Sequence, residues 1–130
     1  MTTLGIVEPM DVSHPLECEN AREWRRWLET HHDTDDGAWL LIAKKGATRP
    51  GVSLIEATEE ALCFGWIDSA MRPIDHERYA LRYTPRRPRS NWSEVNKARA
   101  ERLIEQGRMT DAGLARIQEA KRDGRWDPAI

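Results

Sequence analysis

The sequence predicts an α+β domain, with a small sheet of about three strands packed against four helices in the order α-β-α-β-β-α-α. Three observations carry this. The chain has 130 residues, one domain's worth and too short for two independent cores. Four segments carry helix start signals, and three of them stop at a glycine. Two extended segments are joined by only four residues, a connection that admits antiparallel pairing and nothing else. The sheet therefore consists of one covered strand plus a hairpin. No internal repeat or low-complexity tract interrupts the pattern.

The first helix is predicted over residues 20–31. Asn20 is its N-cap, and Trp24, Trp27, Leu28 and His31 share one stripe at i, i+3, i+4, i+7, so two indoles point towards a core. The polar run 32–37 is a loop. Ala38-Trp-Leu-Leu-Ile-Ala43 is a continuous apolar run between Gly37 and Gly46, the pattern of a strand covered on both faces. Ser53-Leu-Ile-Glu56 is a capping box that opens a helix running through Phe64 and stopping at Gly65. Residues 66–74 and 79–84 are the hairpin strands. Alternation along the first puts Trp66, Asp68, Ala70 and Arg72 on one face and Ile67, Ser69 and Met71 on the other. Pro85 and Pro88 forbid regular structure in the next segment, and Ser93 with Glu94 restarts helix as far as Gly107. A last helix begins at Thr110 or Asp111 and runs to Arg122, before Gly124. Residues 1–19 read as an N-terminal extension and 20–130 as the domain.

Composition narrows the function classes. The chain is 39% hydrophobic and 32% charged, and no run of 18 apolar residues exists to span a bilayer, so no membrane insertion is expected. The start lacks a basic n-region and an apolar h-region, which places the expected protein in a reducing cytoplasm, beginning at or near residue 1. Cys18 and Cys63 fit that compartment as free thiols. They form no Cys/His cluster, and His14, His31, His32 and His76 make no ligand pattern, so neither metal nor cofactor is expected. Phosphate-loop, dinucleotide and serine-hydrolase signatures are absent. Net charge is −2, but residues 1–62 hold 6 basic and 12 acidic side chains, whereas 82–108 hold 8 and 3. The aromatic set is also lopsided, with six Trp against two Tyr and one Phe.

The basic segment concentrates the candidate chemistry. Tyr79-Ala-Leu-Arg-Tyr-Thr-Pro-Arg-Arg-Pro-Arg-Ser-Asn-Trp-Ser93 delivers four arginines into a helix N-terminus, whose unpaired N–H groups and partial positive charge favour an anion. Arg82, Arg86, Arg87 and Arg89 would bind phosphate, sulfate or carboxylate there, with Ser90, Asn91 and Ser93 adding hydrogen bonds. The alternative is a solvated loop whose prolines shape a connection, with Ser93 as no more than a cap. Asn96 shares a stripe with Ala100, Leu103 and Ile104, so it must bond either a ligand or the backbone. Asp68, beside Trp66 and on the strand that pairs with Arg82, is either an acid/base group or half of an ion pair. Cys63 has no base at a recognisable spacing and reads as a buried structural thiol.

Several longer motifs then point to a family. Trp24-x-x-Trp-Leu28, Trp39-Leu40 before Lys44-Lys45, Glu60-Ala-Leu-Cys-Phe-Gly-Trp-Ile-Asp-Ser69, Thr84-Pro-Arg-Arg-Pro-x-Ser-x-Trp-Ser93 with Asn96, and Gly107-Arg-Met109 with Gly113 together resemble the YdeI/OmpD-associated family, also labelled bacteriocin-protection proteins. The likeness covers roughly residues 20–126. It departs at Leu54, where the family commonly has a tyrosine. The resemblance implies a bacterial, cytoplasmic protein tied to antimicrobial-peptide or envelope stress, and it brings no reaction with it. It falls on Lys45, Trp66, Asp68, Arg82, Arg86, Ser90, Trp92 and Asn96. The leading expectation is a binding domain for an unknown anionic, partly planar small molecule, with Arg82 and Arg86 on the charge, Trp66 and Trp92 stacking, and Asp68 orienting. An enzyme using Asp68 as acid/base is the second reading. Nucleic-acid binding through Tyr79, Tyr83 and the arginine loop is the third, and a pI of about 6.1 weighs against it.

Overall fold

A computed structural model describes residues 14–126. Residues 1–13 of the expected extension and 127–130 of the expected domain lie outside the described residues. Four helices and a three-stranded antiparallel sheet follow in the predicted order: α1 (Ala21–His31), β1 (Ala38–Ala43), α2 (Leu54–Cys63), β2 (Trp66–Pro73), β3 (Arg78–Pro85), α3 (Glu94–Glu105) and α4 (Asp111–Arg122). Among the described residues no helix is long and apolar enough to cross a membrane.

Local chemistry explains the boundaries. The side chains of Asn20, Ser53, Ser93 and Thr110 each accept the N–H of the residue three further on, satisfying a donor that the first turn leaves orphaned. At Ser53 the box is complete, because Glu56 returns the bond to the Ser53 N–H. Gly65, at φ +77°, lets the chain turn directly from α2 into β2. A Cβ there would strike Arg116 of α4.

Strand order is β1-β3-β2. The outer edge of β1 carries single parallel bridges from Leu16 to Leu40 and from Val52 to Ile42. Leu16 also donates to Trp39 O, and Cys18 is buried in the core, so the folded domain starts before residue 20. The expected extension thus ends sooner than the helix signals suggest.

One face of the sheet, bearing Leu40, Ile42, Leu81 and Tyr83, packs with the helices into the main core together with Trp24, Leu28, Trp66 and Leu103. The other holds a small second cluster of Trp39, Leu41 and Ala80, so β1 is covered on both faces as predicted. α2 is the central helix, touching α1, α3, α4, β1 and β2. Trp24 Nε1 donates to Ala57 O at 3.0 Å, which gives a fully buried indole its polar partner. Glu60 of α2, almost fully buried, accepts from Arg25 at 2.8 Å and from Arg108 at 2.9 Å. It thereby ties α1 and the α3–α4 connection to α2.

One register feature overturns a prediction. Asp68 faces Tyr83 across the ladder, yet Ala70 faces Arg82, with Ser69 bulged between them. The extra residue shifts the alternation by one. Trp66 and Asp68 therefore share the core face, while Ala70 and Arg72 join Ile67 and Arg82 on the other.

Candidate functional site

On the sheet face away from the main core, a cleft of about 640 Å³ opens between the start of β2, the end of β3 and the Pro-Arg loop. Its wall combines Arg82, Arg87 and Arg89 with the hydroxyl residues Ser69, Thr84 and Ser90 and the apolar Ile67, Pro85 and Pro88. Among the described residues Asp36 is the single carboxylate in it.

Each arginine is positioned by a different part of the chain. Arg82 is carried by the central strand, and its guanidinium lies so close over Gly37 that any Cβ at that position would collide with it. Arg87 and Arg89 are exposed on the loop. Arg89 adopts φ +73°, the left-handed conformation that closes a turn in which Ser90 N–H donates to Arg87 O at 3.0 Å.

The loop owes its shape to Arg86. This residue is only 3% exposed. Its Nη1 donates to Ser90 Oγ at 2.7 Å and to Asn91 O at 3.0 Å, and its guanidinium stacks 3.8 Å from the Trp92 ring centroid. Burial and the neighbouring Arg125 pull its pKa down to about 10, against the opposing influence of Asp68. Arg125, which sequence reasoning missed, clamps the same loop by donating to Ser90 O at 2.6 Å. Trp92 itself packs on Trp126, 5.0 Å away. An arginine read as a ligand-facing charge is thus an internal brace. Only its separation from Arg87 by the chain's turn, a tertiary matter, distinguishes the two.

The other predicted residues divide clearly. Arg82, Arg87 and Ser90 come together in the cleft. Trp66, 2% exposed, packs edge-on against Trp27 and donates Nε1 to His32 O, and Trp92 is also buried, so the two indoles expected to stack on a ligand are core side chains. Asp68 is exposed on the opposite face from Arg82, for the register reason given above. Ser93 caps α3, and half-buried Asn96 accepts from Arg99 Nη1 at 3.2 Å. Lys45 lies beyond the Arg78 end of β3, the far end of the sheet from Thr84 and Pro85, beside Tyr79. Tyr83 is fully buried and bonds Thr58. Asp36, Ser69, Thr84 and Arg89 line the cleft as well. Alternation signals Thr84 beside Arg82 and Ser69 beside Ile67, but only the strand pairing brings these two pairs to one face.

Cys18 and Cys63 are free and buried. Burial pushes the Cys18 thiol up to about 11, with help from Glu23, and raises that of Cys63 despite its contact with Arg25. Neither thiol is activated for nucleophilic work.

Fold and cleft define a class: a small α+β domain with an arginine-lined cleft on the outer face of a three-stranded antiparallel sheet. Residues 16–116 match the family described as a domain of unknown function (DUF8412), and the chain belongs to that family. No curated protein and no solved structure matches it.

Proposed function

We propose that the chain is a small binding domain whose sheet cleft holds an organic anion with a flat apolar body, in the protection role that its resemblance to the YdeI/OmpD-associated proteins implies. The convergence of Arg82, Arg87 and Arg89 on one cleft, where Asp36 is the single carboxylate among the described residues, carries this reading. Guanidinium groups meet carboxylates and phosphates through two parallel N–H donors, and the planar fork also stacks. Ser69, Thr84 and Ser90 supply further hydrogen bonds, while Ile67, Pro85 and Pro88 offer an apolar wall to the body of the ligand. Asp36 is the orienting carboxylate. Asp68 lies across the sheet from the arginines and Tyr83 lies in the core, so an acid/base role for Asp68 and base stacking by the hairpin tyrosines gain no support from this site.

The test compares the parent with the double variant Arg87→Ala, Arg89→Gly, whose exposed loop positions leave the core intact. An aromatic monocarboxylate and a nucleoside 5′-monophosphate serve as probes in thermal-shift and calorimetric titrations. Binding at a hundredfold excess over Kd stabilises the parent by about 2.7 kcal/mol, and the variant binds at least about tenfold more weakly. Identical titrations for the two proteins would reject the reading. Bacteria expressing the parent are expected to survive a bacteriocin challenge better than bacteria expressing the variant.

A further inference from the structure

Arg86 presents an unresolved charge. A guanidinium carries five N–H donors. Here Nη1 is satisfied by Ser90 and Asn91, while the buried Nε and Nη2 have no hydrogen-bond partner. Asp68 favours its charge without bonding to it, and the neighbouring Arg125 opposes it. A buried cation without a bonded counter-charge is costly unless a ligand offsets it.

Arg86 belongs to the wall of a second cleft, of about 290 Å³, on the other side of Pro85 from the first. The remaining wall includes His32, Gly65, Trp66 and Arg116, with Asp33 as the one carboxylate. Arg116 is paired through Nη1 with Glu119 at 3.2 Å, and its side chain is about a third exposed. His32 donates its Nδ1–H to Leu28 O at 2.8 Å, which leaves Nε2 of the neutral ring as a lone-pair acceptor, suited to the hydroxyl of a hydrogen phosphate. Gly65 keeps the cleft open, because a Cβ there would run into Arg116.

We infer that this second cleft, between the end of α1, the α2–β2 turn and α4, is a site for a compact oxyanion that keeps a hydroxyl, such as hydrogen phosphate, held by Arg116 and by the Nε2 lone pair of His32 against the buried charge of Arg86. Its volume of about 290 Å³ accommodates an inorganic anion or a single phosphate group. The inference does not depend on that assignment.

Inorganic phosphate is the probe, titrated into the full chain at constant ionic strength against chloride, with calorimetry and amide chemical shifts as readouts. Saturable binding is expected, with shifts centred on His32, Gly65 and Ala112. Affinity falls roughly tenfold in Arg116→Gln, the loss of one charge-assisted hydrogen bond, recovers in part in Arg116→Lys, and is unchanged in the Arg87→Ala, Arg89→Gly variant. No saturable response in the parent, or equal affinity in Arg116→Gln, overturns the inference. Shifts centred on Ser69, Thr84 and Ser90, with binding lost in the loop variant, would overturn it too, while leaving the sheet cleft's anion site standing.

Discussion

The arginines show how little residue type alone says about role. Arg82, Arg86, Arg87 and Arg89 lie within eight positions, yet one reaches across the sheet to Gly37, one is a buried brace stacked on Trp92, and two face solvent at the mouth of a cleft. The distinction follows from which atoms each finds within reach after folding, and a side chain with four rotatable bonds finds very different ones. The tryptophans divide by the same logic. Trp24, Trp27 and Trp39 were legible as packing residues from their stripe and their covered strand. The burial of Trp66 and Trp92 was not, because it depends on contacts with Trp27 and Trp126. Gly37 provides the test at this scale. In Gly37→Ala the new methyl displaces the far end of the Arg82 side chain, which is flexible, so melting should move by less than about 1 kcal/mol equivalent. Probe binding in the sheet cleft should weaken severalfold in calorimetric titration.

Elements were the most legible level, because caps and glycines are local chemistry. Asn20, Ser53, Ser93 and Thr110 start their helices at the predicted positions, Thr110 being one of two offered for α4. Each acts within three residues of itself, so no distant partner is needed to recognise it. The Ser69 bulge was illegible for the converse reason. It exists only in relation to β3, and an isolated strand carries no record of where its partner gains or loses a residue. That one residue moved Asp68 away from the arginines and removed the basis for pairing it with them. The complete capping box of α2 is the element-scale prediction. Ser53→Ala deletes the side-chain half, leaving the backbone N–H of residue 53 on Glu56, and should cost about 1 kcal/mol in urea unfolding, with unchanged m-value, because the helix is held elsewhere by Ala57 and Ala61 in the core.

At the scale of the molecule, α2 is the hub and Glu60 its fastening. Its carboxylate receives Arg25 from α1 and Arg108 from the α3–α4 connection, while neighbouring Glu59 receives Arg102 and Arg108. Removing Glu60 takes the shorter carboxylate partner from both cations and leaves Arg25 with Glu29 at 3.7 Å and Arg108 with Glu59 at 3.4 Å. Glu60→Ala should therefore destabilise the fold by about 2 kcal/mol in denaturant titration. That lies below the range for fully buried pairs, because Arg25 and Arg108 keep solvent contact. The same convergence of distant segments creates both clefts. The first joins β2, β3 and the Pro-Arg loop with Asp36, and the second joins His32, Gly65 and Arg116 across more than eighty residues of chain. The class of fold, the order and ends of its elements, and the segment where positive charge gathers are all readable along the chain, since they follow from propensities and interactions a few residues long. Folding alone places β3 between its neighbours, turns Arg86 inward while Arg87 and Arg89 face the cleft, and sets Asp68 on the wrong face to meet them. Pairing order, register and burial are properties of contacts between residues far apart in the chain, and those contacts exist only once the core has closed.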